Sequence, residues 1–203
     1  GSILHFAFPE PCISCGGGAD LDGWPLCEDC RLPRVSPKDM GAGPLVSRVW
    51  SLAPYSGPMG ALARRAKYRP DAYLMRRLAG LMADSLPVLP AVDAVVHVPT
   101  SSVRQLQRGF DQAGVLAAAT ASKLQVPHAG ILRRADQTEQ AGRGRAARMC
   151  GLSFRFTVRG VVPKSVLLVD DVRTSGATLD ACALALLGGG ARNVQAVVLA
   201  SNG

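Results

Sequence analysis

Residues Val166 to Thr178, reading V-L-L-V-D-D-V-R-T-S-G-A-T, constrain the fold more than any other stretch of this 203-residue chain. Four apolar β-formers, Val166 to Val169, suit a short strand buried on both faces, as at the centre of a parallel sheet. Asp170 and Asp171 follow at once, at the expected carboxyl end of that strand, and then come Arg173, Thr174, Ser175, Gly176, Ala177 and Thr178. An Ala/Leu-rich pattern continues through Leu187 and reads as a helix stopped by Gly188-Gly189-Gly190. A Gly-containing turn feeding a helix N-terminus aims several N–H groups at one point and favours a phosphate. The hydroxyls of Thr174, Ser175 and Thr178 add donors. Paired acids beside such a cradle do not suit an all-anionic ligand. They suit a sugar phosphate whose vicinal hydroxyls need acceptors, namely a ribose 5-phosphate; the plainer alternative is a solvated Asp-Asp turn after a core strand.

These thirteen residues closely resemble the signature of type I phosphoribosyltransferases. The resemblance implies an α/β fold with a parallel sheet flanked by helices and a site for phosphoribosyl pyrophosphate with Mg²⁺. In it Asp170 and Asp171 hold the ribose 2′ and 3′ hydroxyls, while Arg173, Thr174, Ser175, Gly176, Ala177 and Thr178 wrap the 5′-phosphate. Purine enzymes with this motif commonly carry an Asp at the fourth position after the first acid, as a base toward the purine ring. Thr174 stands there in this chain, which disfavours a hypoxanthine- or guanine-type mechanism.

The length allows one α/β domain with a small appendage. No apolar run approaches the roughly 18 residues of a membrane span, and no signal sequence opens the chain. Gly1-Ser2 without a Met reads as a trimmed start or a cloning remnant, and the expected compartment is the cytoplasm. The formal charge is +8 with thiols neutral; four thiolates on one divalent zinc would lower it by two. Arginines crowd Arg133 to Arg159, which suits a polyanionic ligand or nucleic acid as well as a merely solvated basic face.

Cys12-x-x-Cys15 and Cys27-x-x-Cys30 form two knuckles separated by eleven residues that include several glycines. That spacing suits one tetrahedral Zn²⁺ with no open position, hence a structural site in a small ribbon. A disulfide framework is the competing reading. Cys150 and Cys182 read as ordinary thiols. From Arg31 to Pro44 the composition turns to Pro, Gly, Ser and charge, so residues 1–44 are expected to be ribbon and linker and residues 45–203 the main domain.

Val46 to Tyr55 reads as a strand, and Ser56-Gly57-Pro58 opens a helix to about Tyr68 that carries Arg64, Arg65 and Lys67. Ala72 to Leu86 has the spacing of an amphipathic packing helix. Ala94 to Val98 is a strand ending in the turn Pro99-Thr100-Ser101-Ser102, where α/β sheets place ligand loops. Arg104 to Ala113 is expected to open a helix running through Lys123. Ile131 and Leu132 end a further strand, Phe154 and Phe156 mark another before Pro163, and Val194 to Ala200 forms the last.

Taken in order, the knuckles, Y-S-G-P at Tyr55, Lys67-Tyr68, the V-P turn, R-G-F-D-Q-A from Arg108 and the V-D-D motif resemble ComF-type competence proteins over nearly the whole chain. The resemblance makes Thr100, Ser101 and Arg104 a pyrophosphate loop, with Lys67, Arg108, Gln112 and Gln140 as further ligand contacts. Most members have Asn where Asp111 stands, and Arg108 pairing with Asp111 at the helix start is the structural alternative. Arg133 to Arg148 has the composition of a closing lid, and Arg143, Arg145 and Arg148 are the candidate catalytic cations. Gln140, Gly142 and Arg148 match the family pattern there, whereas Arg143 and Gly151 depart from it. The implied function is pentosyl transfer tied to DNA uptake. The alternative is a non-catalytic module that senses phosphoribosyl pyrophosphate, or binds single-stranded DNA, and contacts DNA-processing proteins.

Overall fold

The computed structural model describes residues 11–18, 24–31, 35–68, 71–101, 105–107, 109–134 and 156–202. Its elements are α1 (Glu28–Arg31), β1 (Lys38–Asp39), β2 (Arg48–Ser51), α2 (Pro58–Tyr68), α3 (Ala72–Asp84), β3 (Ala94–His97), α4 (Gln112–Leu124), β4 (Leu132–Arg134), β5 (Phe156–Val158), β6 (Ser165–Arg173), α5 (Ala177–Gly188) and β7 (Asn193–Ser201). The main sheet has the order β1-β2-β7-β6-β3. Its last four members are parallel and β1 pairs antiparallel at the edge. The chain is thus α/β with a parallel sheet at its centre, as the buried run at Val166 leads one to expect.

Side-chain alternation along β6 builds a core on each face. Leu167 and Val169 point to the side of α2, α3 and α4, where they join Leu62, Leu78 and Leu116. Val166 and Leu168 point the other way and meet Leu179, Cys182 and Leu186 of α5. All of these side chains are buried. The short antiparallel pair β4–β5 lies on the α5 side, with Leu132 opposite Val158 and Leu132 and Phe156 buried.

Several element bounds differ from those the sequence suggests. β6 does not end at Val169, because its pairing with β7 runs on to Arg173 opposite Ser201, so both acids lie within the strand. The apolar run stops at Val169, whereas the hydrogen-bond ladder continues. The strand expected from Val46 to Tyr55 is confined to Arg48–Ser51. The helix expected from Arg104 is broken in two, with 105–107 helical and a new helix starting at Gln112. Gly109, at φ 77°, interrupts it, and Asp111 caps the new one through Gly114 N–H at 3.2 Å. Leu132 begins a strand and does not end one. β1 falls within the stretch whose composition reads as a linker. Among the described residues no helix is long and apolar enough to cross a membrane.

Helix α2 approaches the preceding loop at Gly60, where an added Cβ would overlap the Tyr55 carbonyl. Overpacking against backbone cannot be relieved by a rotamer change. Gly60→Ala is therefore expected to cost about 3 kcal/mol or more in urea-melt stability; an unchanged midpoint would show that α2 can move away freely.

Candidate functional site

The two acids of β6 stand one residue apart at the carboxyl end of the sheet, and their environments differ. Asp170 turns its Oδ1 back to accept the N–H of Asp171 at 2.8 Å. Burial pushes the Asp170 carboxyl well above the usual carboxylate range, and the adjacent Asp171 charge pushes the same way, against the N–H bond and Lys67. Asp171 pairs with Lys67, whose Nζ lies 3.2 Å from its Oδ2. Lys67 thus reaches from the last turn of α2 to the acid pair.

A cleft of about 710 Å³ opens over these groups, lined by Lys67, Thr100, Asp170, Asp171, Thr174 and Thr178 among others. Its floor includes the entrance to α5. The N-cap there is Gly176 at φ 84°, which has no side chain with which to cap the helix. A Cβ at Gly176 would combine that left-handed backbone with a 3.2 Å approach to Arg173 Nε. The first-turn N–H groups of α5 and the exposed Thr174, Ser175 and Thr178 make a donor-rich surface beside the acids. Ser175 Oγ accepts the Ala177 N–H at 3.4 Å.

The opposite wall is the turn after β3. Val98 N–H donates to Val169 O at 3.0 Å, which holds this turn against β6. Asp111 then braces it, since Oδ2 accepts the Thr100 N–H at 3.3 Å while Oδ1 caps α4. His97 lies behind, with Nε2 3.8 Å from Asp111 Oδ2 and Nδ1 3.0 Å from His128 Nε2. Burial lowers the pKa of His97 despite the attraction of Asp111. Gln112 lines the cleft, and its amide nitrogen donates to the Ala66 carbonyl, fastening α4 to α2.

Of the residues singled out from sequence, Lys67, Thr100, Gln112, Asp170, Asp171, Thr174 and Thr178 line this one cleft. Ser101, Arg173, Ser175, Gly176 and Ala177 adjoin these lining residues in the chain. Arg104, Arg108, Gln140, Gly142, Arg143, Arg145 and Arg148 lie outside the described residues, as do the lid expected beyond Arg134, Cys150, Gly151 and Phe154. Sequence reasoning missed Tyr55, Tyr68, Gln107 and Arg134, which also line the cleft. The tyrosines stand within the Y-S-G-P and Lys-Tyr segments already noted, so a signal existed; Arg134 was legible only as part of a basic run.

The four cysteines converge as their spacing requires. Their sulfurs lie within 4.8 Å of one another, and Cys15 and Cys27 approach to 3.7 Å, well beyond the roughly 2.05 Å of a disulfide. Ile13 N–H donates to Pro25 O at 3.0 Å and ties the two knuckles together. The sulfurs are unequal. Cys12 is pulled down to about 6, because N–H donors at Cys15, Cys27 and Ser14 outweigh the opposing burial. Cys30 is pushed up to about 12 by burial and its three sulfur neighbours, although the Ser14 hydroxyl opposes this. A divalent cation at the centre would relieve that repulsion, so the donor set fits Zn²⁺. Cys182 stands apart on α5, where burial pushes its thiol up.

Sequence comparison supplies relatives for this arrangement. Competence protein F of Haemophilus influenzae is 30% identical over 194 residues, covering 87% of this chain and 84% of the relative. The chain belongs to the competence protein F family. The competence protein ComFC of Streptococcus pneumoniae is 24% identical over 91% of this chain and 84% of its own. The DNA utilization protein YhgH of Salmonella typhi is 28% identical over 84% and 81%. No family model matches. Among solved structures, a glutamine phosphoribosylpyrophosphate amidotransferase from B. subtilis aligns with TM-score 0.49 at 20% identity, over 67% of this chain and 30% of the enzyme. An adenine phosphoribosyltransferase from Leishmania tarentolae aligns with TM-score 0.40 at 15% identity, over 82% and 94%.

Two predictions follow from these environments. Below the ordinary carboxylate value of 3.8, Asp170 is protonated in both folded and unfolded chains. As pH rises through that value the unfolded chain ionises first, so stability falls until the folded group ionises too. Asp170→Asn removes this loss and is expected to raise the melting temperature by a few degrees at about pH 7, roughly 1 kcal/mol, with the gain vanishing near about pH 3. Equal gains at both pH values would point to packing as the cause. In the ribbon, protein prepared without chelators is expected to carry one Zn²⁺ per chain by elemental analysis, and Cys12→Ser or Cys27→Ser to lose it. Full metal content in either variant would count against four-sulfur ligation.

Proposed function

We propose that this family member binds phosphoribosyl pyrophosphate with Mg²⁺ and transfers the phosphoribosyl group to a nitrogen nucleophile, in a role tied to competence and DNA handling. One observation carries the reading: the Asp170–Asp171 pair and the hydroxyl-flanked start of α5 open into one cleft. Acceptors for vicinal hydroxyls and donors for a phosphate therefore lie side by side. Asp170 and Asp171 would receive the ribose hydroxyls, Thr174 to Thr178 the 5′-phosphate, and the turn at Thr100 and Ser101 the pyrophosphate.

The acid pair also fits Mg²⁺, a hard cation that prefers carboxylate oxygens and substrate phosphates. When bound, it neutralises charge on the diphosphate. The chain's own residues orient the sugar and hold its anionic groups by donors fixed in advance. In the transfer, nitrogen bonds to C1 of the ribose as the bond from C1 to the pyrophosphate oxygen breaks. The electron pair leaves with pyrophosphate and the nitrogen's proton goes to water. Thr174 supplies no base at the position where a carboxylate could take it.

A second reading keeps the ligand and removes the turnover, with the basic surface meeting single-stranded DNA or a DNA-processing protein. The net charge of +8 favours it. Release of pyrophosphate that depends on an added base or amine separates the two.

The ligand assignment is tested by replacing both Asp170 and Asp171 with Asn. Charge-assisted hydrogen bonds contribute about 1.5–3 kcal/mol each, so phosphoribosyl pyrophosphate affinity in Mg²⁺ is expected to fall roughly ten- to a hundred-fold by calorimetry. Affinity for inorganic phosphate should hold or rise, because two negative charges leave the neighbourhood. Unchanged phosphoribosyl pyrophosphate binding would show that the acids do not grip the sugar.

A further inference from the structure

The Thr100 N–H, on the turn after β3, is already taken by a carboxylate of this chain. It donates to Asp111 Oδ2 at 3.3 Å, and both residues line the cleft. The start of α4 does not require that charge, since a neutral Ser or Asn caps a helix as well. Asp111 Oδ1 caps α4 through the Gly114 N–H at 3.2 Å, which leaves the Oδ2 bond as a second, separate contact.

Asp111 is held there from behind. His97 Nδ1 and His128 Nε2 are 3.0 Å apart, so one of these nitrogens carries a proton and the other a lone pair. His97 Nε2 lies 3.8 Å from Asp111 Oδ2. A lone pair facing a carboxylate is repelled by it, so the favoured pattern puts the His97 proton on Nε2 and lets His128 donate to His97 Nδ1. Burial, His128 and Arg133 lower the His97 pKa against the pull of Asp111. His97 therefore offers the carboxylate a dipole and not a cancelling charge. The Asp111 side chain is only 17% exposed, which limits screening of its charge by salt. Among the described residues, the other charged groups lining the cleft are Lys67, Arg134, Asp170 and Asp171, and Lys67 is engaged by Asp171.

We propose that Asp111 is a built-in competitor for the turn after β3, whose carboxylate must leave the Thr100 N–H before a diphosphate is accepted there. This rests on the pyrophosphate assignment made above and adds the residue that sets how readily the turn fills. At 3.3 Å the bond is longer than most N–H···O bonds and is exchanged at low cost. The repulsion between the carboxylate and an incoming anion is the larger barrier, and it persists until Asp111 turns away. The cleft thereby discriminates between ligands. A monophosphate seated at the start of α5 leaves the turn untouched, whereas a ligand that also carries a diphosphate displaces the acid.

The test titrates inorganic pyrophosphate and ribose 5-phosphate, in separate experiments without Mg²⁺, against the full chain, Asp111→Asn and Asp111→Ser. Calorimetry reads affinity, and the Thr100 amide resonance by NMR reads the turn. Asn keeps the size and the helix cap while facing Thr100 with its NH₂, and Ser keeps the cap with a shorter side chain. With a like charge removed from beside the turn, pyrophosphate is expected to bind roughly ten-fold tighter or more in both variants and to shift the Thr100 resonance at correspondingly lower concentration. Ribose 5-phosphate affinity should be the same in all three proteins. Pyrophosphate that shifts Thr100 in the wild type but binds neither variant more tightly overturns the competitor and leaves the pyrophosphate assignment standing. An equal gain for ribose 5-phosphate also overturns it, because the effect would then be one of general charge. A Thr100 resonance unmoved by pyrophosphate in all three proteins overturns the assignment of the turn, and the competitor with it. Absence of ribose 5-phosphate binding would overturn the sugar phosphate reading alone, because pyrophosphate reports on the turn by itself.

Discussion

Two consecutive carboxylates at the end of a buried strand repel each other, and the surrounding structure meets that repulsion in a definite way. Lys67 pairs with one acid, and burial together with the Asp171 charge pushes the other above the usual carboxylate range, against a local N–H bond that favours its charged form. Lys67 can do so only if the end of α2 stays close to β6. The Gln112 amide secures it, because its bond to the Ala66 carbonyl fastens the preceding residue to α4. The ion pair, the amide bond and the sheet therefore form one support.

The acid pair, the Gly-containing turn into α5 and the cysteine knuckles were legible in sequence because their geometry is local. Four apolar residues, two acids and a Gly-containing turn suffice to place a strand, a carboxyl end and a helix start. The length of β6 was not legible, since its continuation past Val169 depends on β7, which lies more than twenty residues away. The start of α4 was obscured for a different reason. R-G-F-D-Q-A has a helical composition, and only the positive φ of Gly109 decides that a new helix begins after Asp111. Tyr55 and Tyr68 were visible as motif letters, but only the folded chain brings α2 and the end of β7 together around one cleft. Arg143, Arg145 and Arg148 lie outside the described residues and belong to the sequence argument alone.

The ribbon is joined to the body by apolar packing as well as by chain connectivity. Cys12, Trp24 and Leu26 are buried in the same cluster as Leu74 and Leu78 of α3. Arg77 of α3 lies over the Trp24 ring, 4.5 Å from its centroid, and also donates to the Tyr73 hydroxyl at 3.2 Å. A metal that orders the knuckles thereby presents Trp24 and Leu26 to the helix layer carrying α2 and α4. Four sulfurs on one cation would leave no ligand position open, which accords with a structural role.

Asp111 shows how one substitution acts through hydrogen-bond valence. Family members resembling this chain commonly place Asn there. An amide has one accepting oxygen, whereas both oxygens of a carboxylate accept. Here both are engaged by backbone donors, Oδ1 with Gly114 at the start of α4 and Oδ2 with Thr100 in the turn after β3. An Asn in the same rotamer would turn its NH₂ toward one of these N–H groups and lose that bond. The acid therefore couples the position of the turn to the position of the helix, and the opposing charge of Asp111 is tempered by two N–H dipoles. Its described partners are these two backbone N–H groups and, at 3.8 Å, His97 Nε2. Thr100 is consequently held in place by the fold through its own N–H, which Asp111 engages.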